Sequence, residues 1–343
     1  MEITFSKYRI HLRHTFGISR GSNNWYDSIF IYIRDGEIIG RGEAAPSKRY
    51  GETVQKILTV LNKKIILPAN SSDRKVLWHY IKPQLKGIKA LEAAFSMAIW
   101  DWWGQKQRQP VYKLLGVNND NLPKTSFTIA IGNIEDIGPK IEEAEPYQIL
   151  KVKLGTEKMD KDIISEIRMH TDKLIRVDAN EGWDDSMALE LVKWLADQNV
   201  EFIEQPFPAN QLTATANLRR NSPLEIYADE NSIVSDDIPS IAEAFDGINI
   251  KLMKCGSLEE GQRMIKLAKI YDMKIMLGCM VESSVGITAA AQLAGDVDAV
   301  DLDGNLLINN DPYSGVNIED GRIVLNKGIG LGLSLNSDQS NII

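Results

Sequence analysis

Eight short apolar segments follow one another at a nearly constant interval in the second part of the chain, and most of them end in a charged residue. Between them lie amphipathic stretches typical of helices, for example residues 157–170 and 258–270. The apolar segments end near Ile131, Lys153, Asp178, Glu204, Asp229, Lys251, Leu277 and Asp301, so that successive ends lie 22 to 26 residues apart. This repeat predicts parallel strands joined by crossover helices.

Two α/β architectures satisfy this repeat: a closed parallel (β/α) barrel of the TIM type and an open, doubly wound sheet of six to eight strands. An open sheet gathers its functional groups at one switch point, whereas the ends of all strands surround the mouth of a barrel. Because charged residues recur at most of the strand ends, the sequence favours the barrel.

The first third of the chain has a different pattern, which predicts an α+β domain. Residues 3–12 and 27–35 alternate as strands do, a third strand is expected near 38–43, and helices are expected at about 53–65 and 88–106. The segment 116–121, rich in Gly and Asn, interrupts the pattern. We therefore divide the chain into residues 1–118, 119–310 and a turn-rich tail, 311–343, expected to pack on the first domain.

Composition excludes several classes of protein. With 343 residues, 43% hydrophobic and 25% charged, the chain has enough apolar residues for a large core, and its net charge of −8 argues against nucleic-acid or anionic-membrane partners. Two cysteines cannot form a disulfide framework. Since neither a signal peptide nor an apolar run of about 18 residues is evident, we expect a soluble, cytoplasmic protein.

Three carboxylates occupy successive strand ends and predict a metal site. Asp178, Glu204 and Asp229 would converge at the barrel mouth, where their mutual repulsion calls for a divalent cation. The four histidines of the chain lie outside this set: His11, His14, His79 and His170. All-oxygen coordination suits Mg²⁺ or Mn²⁺ better than zinc.

Lysines flank this set of acids on both sides along the chain. Lys151 and Lys153 alternate with an apolar residue and therefore face the same side of one strand, which in a barrel is the interior. Their mutual repulsion is expected to lower both pKa values and so to create a base that works near neutral pH. Lys251 would lie across the barrel, although its neighbour Lys254 could also face inward; the end of the apolar run favours Lys251.

The last two strand ends supply further candidates. Asp301 and Asp303 share one side of a strand, where they would clamp a substrate cation such as an ammonium group or merely begin a turn. Glu282 would hydrogen-bond a base or the substrate, or cap the following helix. Cys279 is interpreted as a small buried pocket residue rather than a nucleophile.

Taken together, these segments resemble the enolase superfamily, within it the muconate-lactonising subgroup and the dipeptide epimerases of the L-Ala-D/L-Glu type. Ser257 departs from the resemblance, because the family usually has a second glycine after Gly256. The motifs that carry it are Gly42–Pro46, Ala98–Asp101, Leu150–Leu154, Val177–Trp183, Ile203–Pro206, Ala228–Glu230, Asn249–Lys254 and Asp301–Asp303.

The resemblance implies a modified (β/α)7β barrel beneath an α+β capping domain, with Lys153 and Lys251 as bases on opposite faces of a substrate α-carbon. One Mg²⁺ per subunit (Mn²⁺ possible) would stabilise the enediolate that proton removal creates. Lys151 would tune the neighbouring base and touch the substrate carboxylate. The ligands of the metal would be Asp178, Glu204 and Asp229, and the dipeptide ammonium group would lie between Asp301 and Asp303.

Specificity would reside in the capping domain. Residues 16–24 form a Gly- and Asn-rich loop of the kind used as a lid, and Arg20 matches the arginine that pairs with the glutamate side chain in Ala-Glu epimerases. Further expected substrate contacts are Thr128, Tyr50 and Glu282, and the expected supporting residues are Asn180 and Glu230. The implied protein is a homo-oligomer that serves murein-peptide recycling if its source is bacterial.

Two other hypotheses about the function remain open at this point. Other members of the same subgroup, namely o-succinylbenzoate synthase, N-acylamino-acid racemase and lactonising enzymes, use the same metal and lysines on substrates without an ammonium group. Asp301 and Asp303 argue against these, because two unpaired acids facing an uncharged acyl group are costly. A non-catalytic barrel that only binds a ligand would be marked by a lost metal ligand or lysine, and none is lost here.

Overall fold

The computed structural model describes residues 1–69, 73–156 and 158–337. An antiparallel meander opens the chain, formed by strands β1 (Glu2–Ile18), β2 (Gly21–Asp35) and β3 (Ile38–Ala44). The prediction of a loop at residues 16–24 is wrong. Strands β1 and β2 pair there, so that Phe16 lies opposite Asn23 and Ile18 opposite Gly21. Only Ser19 and Arg20, between the end of β1 and the start of β2, form the tip of this hairpin. Cross-strand pairing continues through the Gly- and Asn-rich sequence up to that tip.

Four α-helices complete the described part of the first domain: α1 (Val54–Leu61), α2 (Arg74–Ile81), α3 (Lys89–Gln107) and α4 (Val111–Leu115). Helix α3 is the centre of the domain core and lies almost entirely buried against β3. Gly40 and Gly42 on β3 permit this approach, because a Cβ atom there would lie 2.0 Å from the carbonyl oxygen of Ala98 and 1.9 Å from that of Ala94. No other residue type fits those two positions without moving the helix.

The second domain is a parallel eight-stranded sheet in which every strand pairs with its neighbours in sequence. A parallel bridge between Thr125 and Val300 joins the two edges and closes the barrel, which confirms the expected architecture. Its strands are β4 (Phe127–Ile129), β5 (Ile149–Lys153), β6 (Leu174–Asp178), β7 (Val200–Glu204), β8 (Glu225–Ala228), β9 (Gly247–Ile250), β10 (Lys274–Gly278) and β11 (Ala299–Asp301).

Helices alternate with these strands as the spacing predicts. The second of them starts at Asp160, and residue 157, the expected start, lies outside the described residues. The helices are α5 (Ile137–Glu143), α6 (Asp160–His170), α7 (Asp185–Ala196), α8 (Leu212–Asn221), α9 (Ile238–Ile241), α10 (Leu252–Cys255), α11 (Leu258–Ile270) and α12 (Ser284–Ala291). None of the helices in the described residues combines the length and the apolar composition that a membrane span requires.

The tail contacts both domains. Its strands are β12 (Tyr313–Ser314), β13 (Asn317–Glu319), β14 (Arg322–Val324) and β15 (Ser334–Leu335). The ring of Tyr313 packs edge-on against Phe30 of β2 at 5.7 Å, and the Leu331 N–H donates to Asp101 of α3. The carbonyl of Gly321 accepts from the Thr125 N–H at the barrel edge. The predicted tail extends to residue 343, of which 338–343 lie outside the described residues.

Candidate active site

Three buried carboxylates meet at the carboxyl ends of neighbouring barrel strands. Asp178 ends β6, Glu204 ends β7 and Asp229 directly follows β8, and each side chain is at most 3% exposed. One oxygen from each lies within 4.8 Å of one oxygen from each of the others. The structure thus brings together the three acids that the strand-end spacing singled out.

Lysine ammonium groups surround this cluster from both sides. Lys153 Nζ donates to Asp178 Oδ2 at 2.6 Å, while Lys251 Nζ donates to Asp229 Oδ2 at 2.7 Å from the other side of the barrel. Lys151 Nζ lies 2.7 Å from Glu204 Oε2 and 3.2 Å from Asp178 Oδ2. Every acid of the cluster therefore has a buried cation beside it.

These ion pairs correct one expectation about Lys151. Burial by itself would lower its pKa, but the carboxylates of Asp301, Glu204 and Asp178 outweigh burial and hold the pKa well above its ordinary value. The pKa of Lys251 is raised in the same way, against burial, chiefly by Asp229. The prediction that the like-charged neighbour lowers the pKa of Lys151 is therefore wrong. The three carboxylates raise this pKa by more than the neighbouring lysine and burial lower it.

The choice between Lys251 and Lys254 is decided by their hydrogen bonds. Lys254 Nζ donates to Asp229 Oδ1 and to the Asp229 carbonyl, both at 2.5 Å, and to the Asn249 carbonyl at 2.9 Å. An ammonium group has three N–H donors, so Lys254 has none left for a substrate. Lys251, by contrast, lines the central cavity.

The residues at this site fit a hard divalent cation. Their donor atoms are all carboxylate oxygens, as Mg²⁺ prefers. The buried oxygens Glu204 Oε2, Asn180 Oδ1 and Glu230 Oε2 accept no hydrogen bond from the described residues, although Lys151 lies close to the first. Buried oxygens that lack donors are costly unless positive charge compensates them, and a metal ion would supply that charge.

Asp301 and Asp303 sit next to this cluster at the end of β11, but they are already engaged. Asp301 accepts from Lys151 Nζ and from the Ser126 hydroxyl, both at 2.6 Å. Asp303 accepts from the Thr128 N–H at 2.7 Å, and burial, helped by the neighbouring Asp301, raises its pKa to about 7. Both carboxyls and Thr128 line the same cavity as Lys153, and the role of the two acids as a clamp stays a prediction.

A cavity of about 650 Å³ separates the barrel mouth from the first domain. Lys153, Lys251 and Asp229 form its floor, and Phe16, Trp25 and Tyr50 of the first domain are among the residues of its roof. A space of this size can hold a small-molecule substrate.

Arg20 reaches across the cavity to the barrel. Its guanidinium donates to Glu230 Oε1 at 2.8 Å, to the Asn180 carbonyl at 2.7 Å and to Glu181 at 3.1 Å. Arg20 lines the cavity, and its predicted contact with the substrate stays a prediction. The sequence analysis missed Glu181, which also binds Arg49. Two successive non-glycine residues with positive φ, Asn180 and Glu181, mark the turn, and the sequence contains no signal for them.

Comparison with known proteins agrees with this geometry. Residues 1–116 match the mandelate racemase / muconate lactonizing enzyme N-terminal domain, and residues 139–339 match the enolase C-terminal domain-like family. The L-Ala-D/L-Glu epimerase of Bacteroides thetaiotaomicron is 39% identical over 97% of this chain and 88% of its own length. This chain belongs to the enolase superfamily. The resemblance drawn from the motifs is confirmed.

Two solved structures of the superfamily superpose closely on the chain. A substrate-liganded L-Ala-D/L-Glu epimerase from Bacillus subtilis has a TM-score of 0.90 at 27% identity, covering 97% of this chain and 98% of its own. A dipeptide epimerase from Cytophaga hutchinsonii, complexed with Mg and D-Ala-L-Val, has a TM-score of 0.90 at 26% identity over 98% and 96% of the two chains. The two domains and their arrangement are thus shared with enzymes of this superfamily.

The departure from the superfamily pattern at Ser257 has a local explanation. Its hydroxyl accepts from the Glu260 N–H at 3.1 Å and caps the N-terminus of α11. The backbone of Ser257 is extended, with φ of −164°, so that no glycine is required there. The glycine that the turn does require is Gly256, whose φ is +86°.

Glu43 of the first domain holds the loop after β10 in place through hydrogen bonds. The buried carboxylate of Glu43 accepts from the Ser283 N–H and hydroxyl and from the Gly286 N–H at the start of α12. Glu282 accepts from the Met280 N–H at 2.7 Å, and it is Ser283 that caps α12. These contacts fix the segment that carries Cys279, whose Sγ lies 3.3 Å from the Asp301 carbonyl oxygen.

We expect the free energy of unfolding to fall as pH rises from 5 to 8. Burial raises the pKa of Glu43 to about 7 and that of Glu282 to about 8, against about 4.3 in an unfolded chain. Because the folded pKa values are the higher ones, their contribution is complete below the unfolded value and is lost as pH rises through 7 to 8. Urea titrations at pH 5, 6.5 and 8 measure this slope.

The matched variant is Glu43→Gln, in which the free energy of unfolding should fall between pH 5 and pH 8 by on the order of 3 kcal/mol less than in the wild type. Replacing an exposed acid of the barrel, as in Glu225→Gln, should leave the slope as it is. A Glu43→Gln protein with the wild-type slope would contradict the assignment to Glu43.

Proposed function

We propose that this chain is a Mg²⁺-dependent dipeptide epimerase, an isomerase that inverts the α-carbon of the C-terminal residue of an Ala-Glu-like dipeptide. The observation that carries the proposal is the pair of buried lysines, Lys153 and Lys251, on opposite sides of a three-carboxylate cluster at the floor of the cavity. Epimerisation by two bases needs one proton acceptor on each face of the reacting carbon. Lys153 and Lys251 would be these two acceptors.

In this proposal Asp178, Glu204 and Asp229 hold Mg²⁺. When bound there, the metal would supply positive charge that stabilises the negative charge developing on the substrate carboxylate. Lys153 removes the α-proton from one face, and Lys251 delivers a proton to the other; the reverse reaction exchanges their roles. Lys151, between Glu204 and Asp301, adds positive charge next to the substrate carboxylate.

The Asp301 and Asp303 pair selects for a substrate with a free ammonium group. Both acids are buried, and only Asp301 has an ammonium partner among its hydrogen bonds in the described structure. An uncharged N-acyl group would leave the Asp303 carboxyl without a cation, which is costly in a buried site. N-succinyl amino acids therefore serve as the comparison substrates for the alternative activities of the same subgroup.

The proposal extends to the setting of the enzyme: a cytoplasmic homo-oligomer that processes murein-derived dipeptides. The net charge of −8 and the two cysteines support a reducing, soluble environment. Sedimentation velocity tests the oligomer, since a monomer at micromolar concentration would refute it. Accumulation of unprocessed dipeptide in a strain that lacks the enzyme tests the role in recycling.

Incubation with L-Ala-L-Glu and Mg²⁺ in D₂O tests the reaction itself. One deuterium should enter the α-carbon of the glutamyl residue, and none should enter the alanyl residue, because only the former lies next to the chelated carboxylate. Mass spectrometry and NMR report the position. Epimerisation without solvent exchange, or exchange in N-succinyl amino acids but in no dipeptide, would refute the proposal.

A further inference from the structure

Two separate segments of the capping domain each deliver an arginine to the same barrel glutamate. Arg20 lies at the tip of the β1–β2 hairpin, and Arg49 lies in the 3-10 turn Lys48–Tyr50 that follows β3. Both guanidinium groups reach Glu181 in the turn after β6. Arg20, Arg49 and Glu230 line the cavity in which the substrate would bind.

Glu181 is bound more strongly to one arginine than to the other. Arg49 Nε and Nη2 donate to its two carboxylate oxygens at 2.7 Å each, which is a bidentate ion pair. Arg20 contributes a single, longer hydrogen bond of 3.1 Å from Nη1. The Ala209 N–H donates to the same carboxylate at 2.9 Å, and the Glu181 side chain is only 10% exposed.

The backbone of this turn is strained in a way that serves the contact. Asn180 and Glu181 have φ of +45° and +65°, the left-handed region that residues other than glycine rarely adopt. In this conformation the Asn180 carbonyl accepts from the Ser19 hydroxyl at 2.8 Å and from Arg20 at 2.7 Å. The turn is thus shaped to receive both capping segments.

We propose that Arg49 is a specificity-determining residue, which engages Glu181 so that the charge of Arg20 stays available for an acidic side chain of the dipeptide. The inference rests on the proposed function, because it presupposes that the substrate side chain lies beneath Arg20. Arg49 lines the same side of the cavity as Arg20, acts through Glu181 and touches no reacting atom.

The charges around Arg20 explain the effect. With Arg49 present, two guanidinium groups face the two carboxylates of Glu181 and Glu230. Without Arg49, this corner loses one positive charge and Glu181 is left to Arg20 alone, so that an incoming side-chain carboxylate is attracted less. A neutral side chain of the same shape gains little from that charge, so that the loss falls on acidic substrates.

The test compares L-Ala-L-Glu with L-Ala-L-Gln, which differ only in the charge of the second side chain. For Arg49→Met, we expect the ratio of kcat/KM values, Glu over Gln, to fall about tenfold, mainly through KM for the acidic dipeptide. In Arg49→Met/Glu181→Gln the superfluous carboxylate is gone, and the ratio should return to within about threefold of wild type.

Lys48→Met is the matched control, because Lys48 is the neighbouring cation at the same cavity and has no ion pair with Glu181. An equal loss of activity on both dipeptides in Arg49→Met would mean that Arg49 only holds the turn in place. That result would overturn the proposal. So would an unchanged Glu-to-Gln ratio in Arg49→Met, a double variant whose ratio does not recover, or the same fall of the ratio in Lys48→Met. A wild-type enzyme without preference for the acidic dipeptide would overturn it too.

The proposed function fails separately from this inference. If the wild type exchanges no α-proton of either dipeptide, epimerisation itself is refuted. If the wild type epimerises both dipeptides with deuterium incorporation and only the ratio of kcat/KM values differs from expectation, the proposed epimerase activity is supported and the role of Arg49 is refuted.

Discussion

Lys153→Ala and Lys251→Ala should each lose epimerase activity by at least about 10³-fold in both directions. A positioned general acid or base contributes about 10²–10⁴-fold, and a two-base reaction needs both groups in every turnover. Lys153 and Lys251 approach the acid cluster from β5 and from the end of β9, so neither can replace the other. Rates of change in optical rotation for L-Ala-L-Glu and L-Ala-D-Glu measure the loss.

Exchange with solvent separates the two lysines. Each variant keeps one base, so it should still exchange the α-proton of one epimer in D₂O and be inert toward the other, and the two variants should show opposite preferences. Lys266→Ala, an exposed lysine on α11, is the control and should behave as wild type. Retention of epimerisation in either active-site variant, or loss of exchange with the same epimer in both, would contradict the two-base arrangement.

Removal of divalent cations should abolish turnover, and addition of Mg²⁺ should restore it. Stabilising the charge on the substrate carboxylate is worth several kcal/mol, which corresponds to a rate loss of roughly 10³-fold or more. Glu204→Gln should show a comparable loss, because it removes a charge from the ligand set. Turnover assays after dialysis against a chelator, with and without added Mg²⁺, measure the effect.

The metal-free protein should nevertheless remain folded. In the described structure the lysines already neutralise the acids: Lys151, Lys153 and Lys251 each lie within 2.7 Å of a carboxylate oxygen of the cluster. Calorimetry should therefore show only the stability change expected from ligand binding, which grows with the Mg²⁺ concentration. Glu225→Gln, an exposed acid on β8, is the control for Glu204→Gln. Full activity in the presence of chelator would refute a metal-dependent reaction.

The sequence predicted the barrel because its repeat is local and long. A strand and a helix must recur within each 22 to 26 residues, and this constraint survives errors of a few residues at any boundary. The convergence of Asp178, Glu204 and Asp229 followed from the fold alone, since the carboxyl ends of neighbouring parallel strands share one rim.

What the sequence could not supply depends on side-chain partners that tertiary structure chooses. The pKa of Lys151 was expected to fall because the sequence shows its like-charged neighbour but not the three acids that surround it. The hairpin tip at Arg20 was taken for a loop, since strand pairing, rather than Gly and Asn content, decides its conformation. The bond between Arg49 and Glu181 joins residues 132 positions apart, and no pattern in the sequence links them.

The return of the tail to the first domain affects how the protein is made. Tyr313 and Leu331 contact Phe30 and Asp101, which the ribosome adds more than 200 residues earlier. Contacts of such sequence separation form late, because the intervening chain must first be ordered. The meander and α3 must therefore wait, incompletely covered, while the barrel is synthesised. Chaperone dependence should consequently be greatest during that interval.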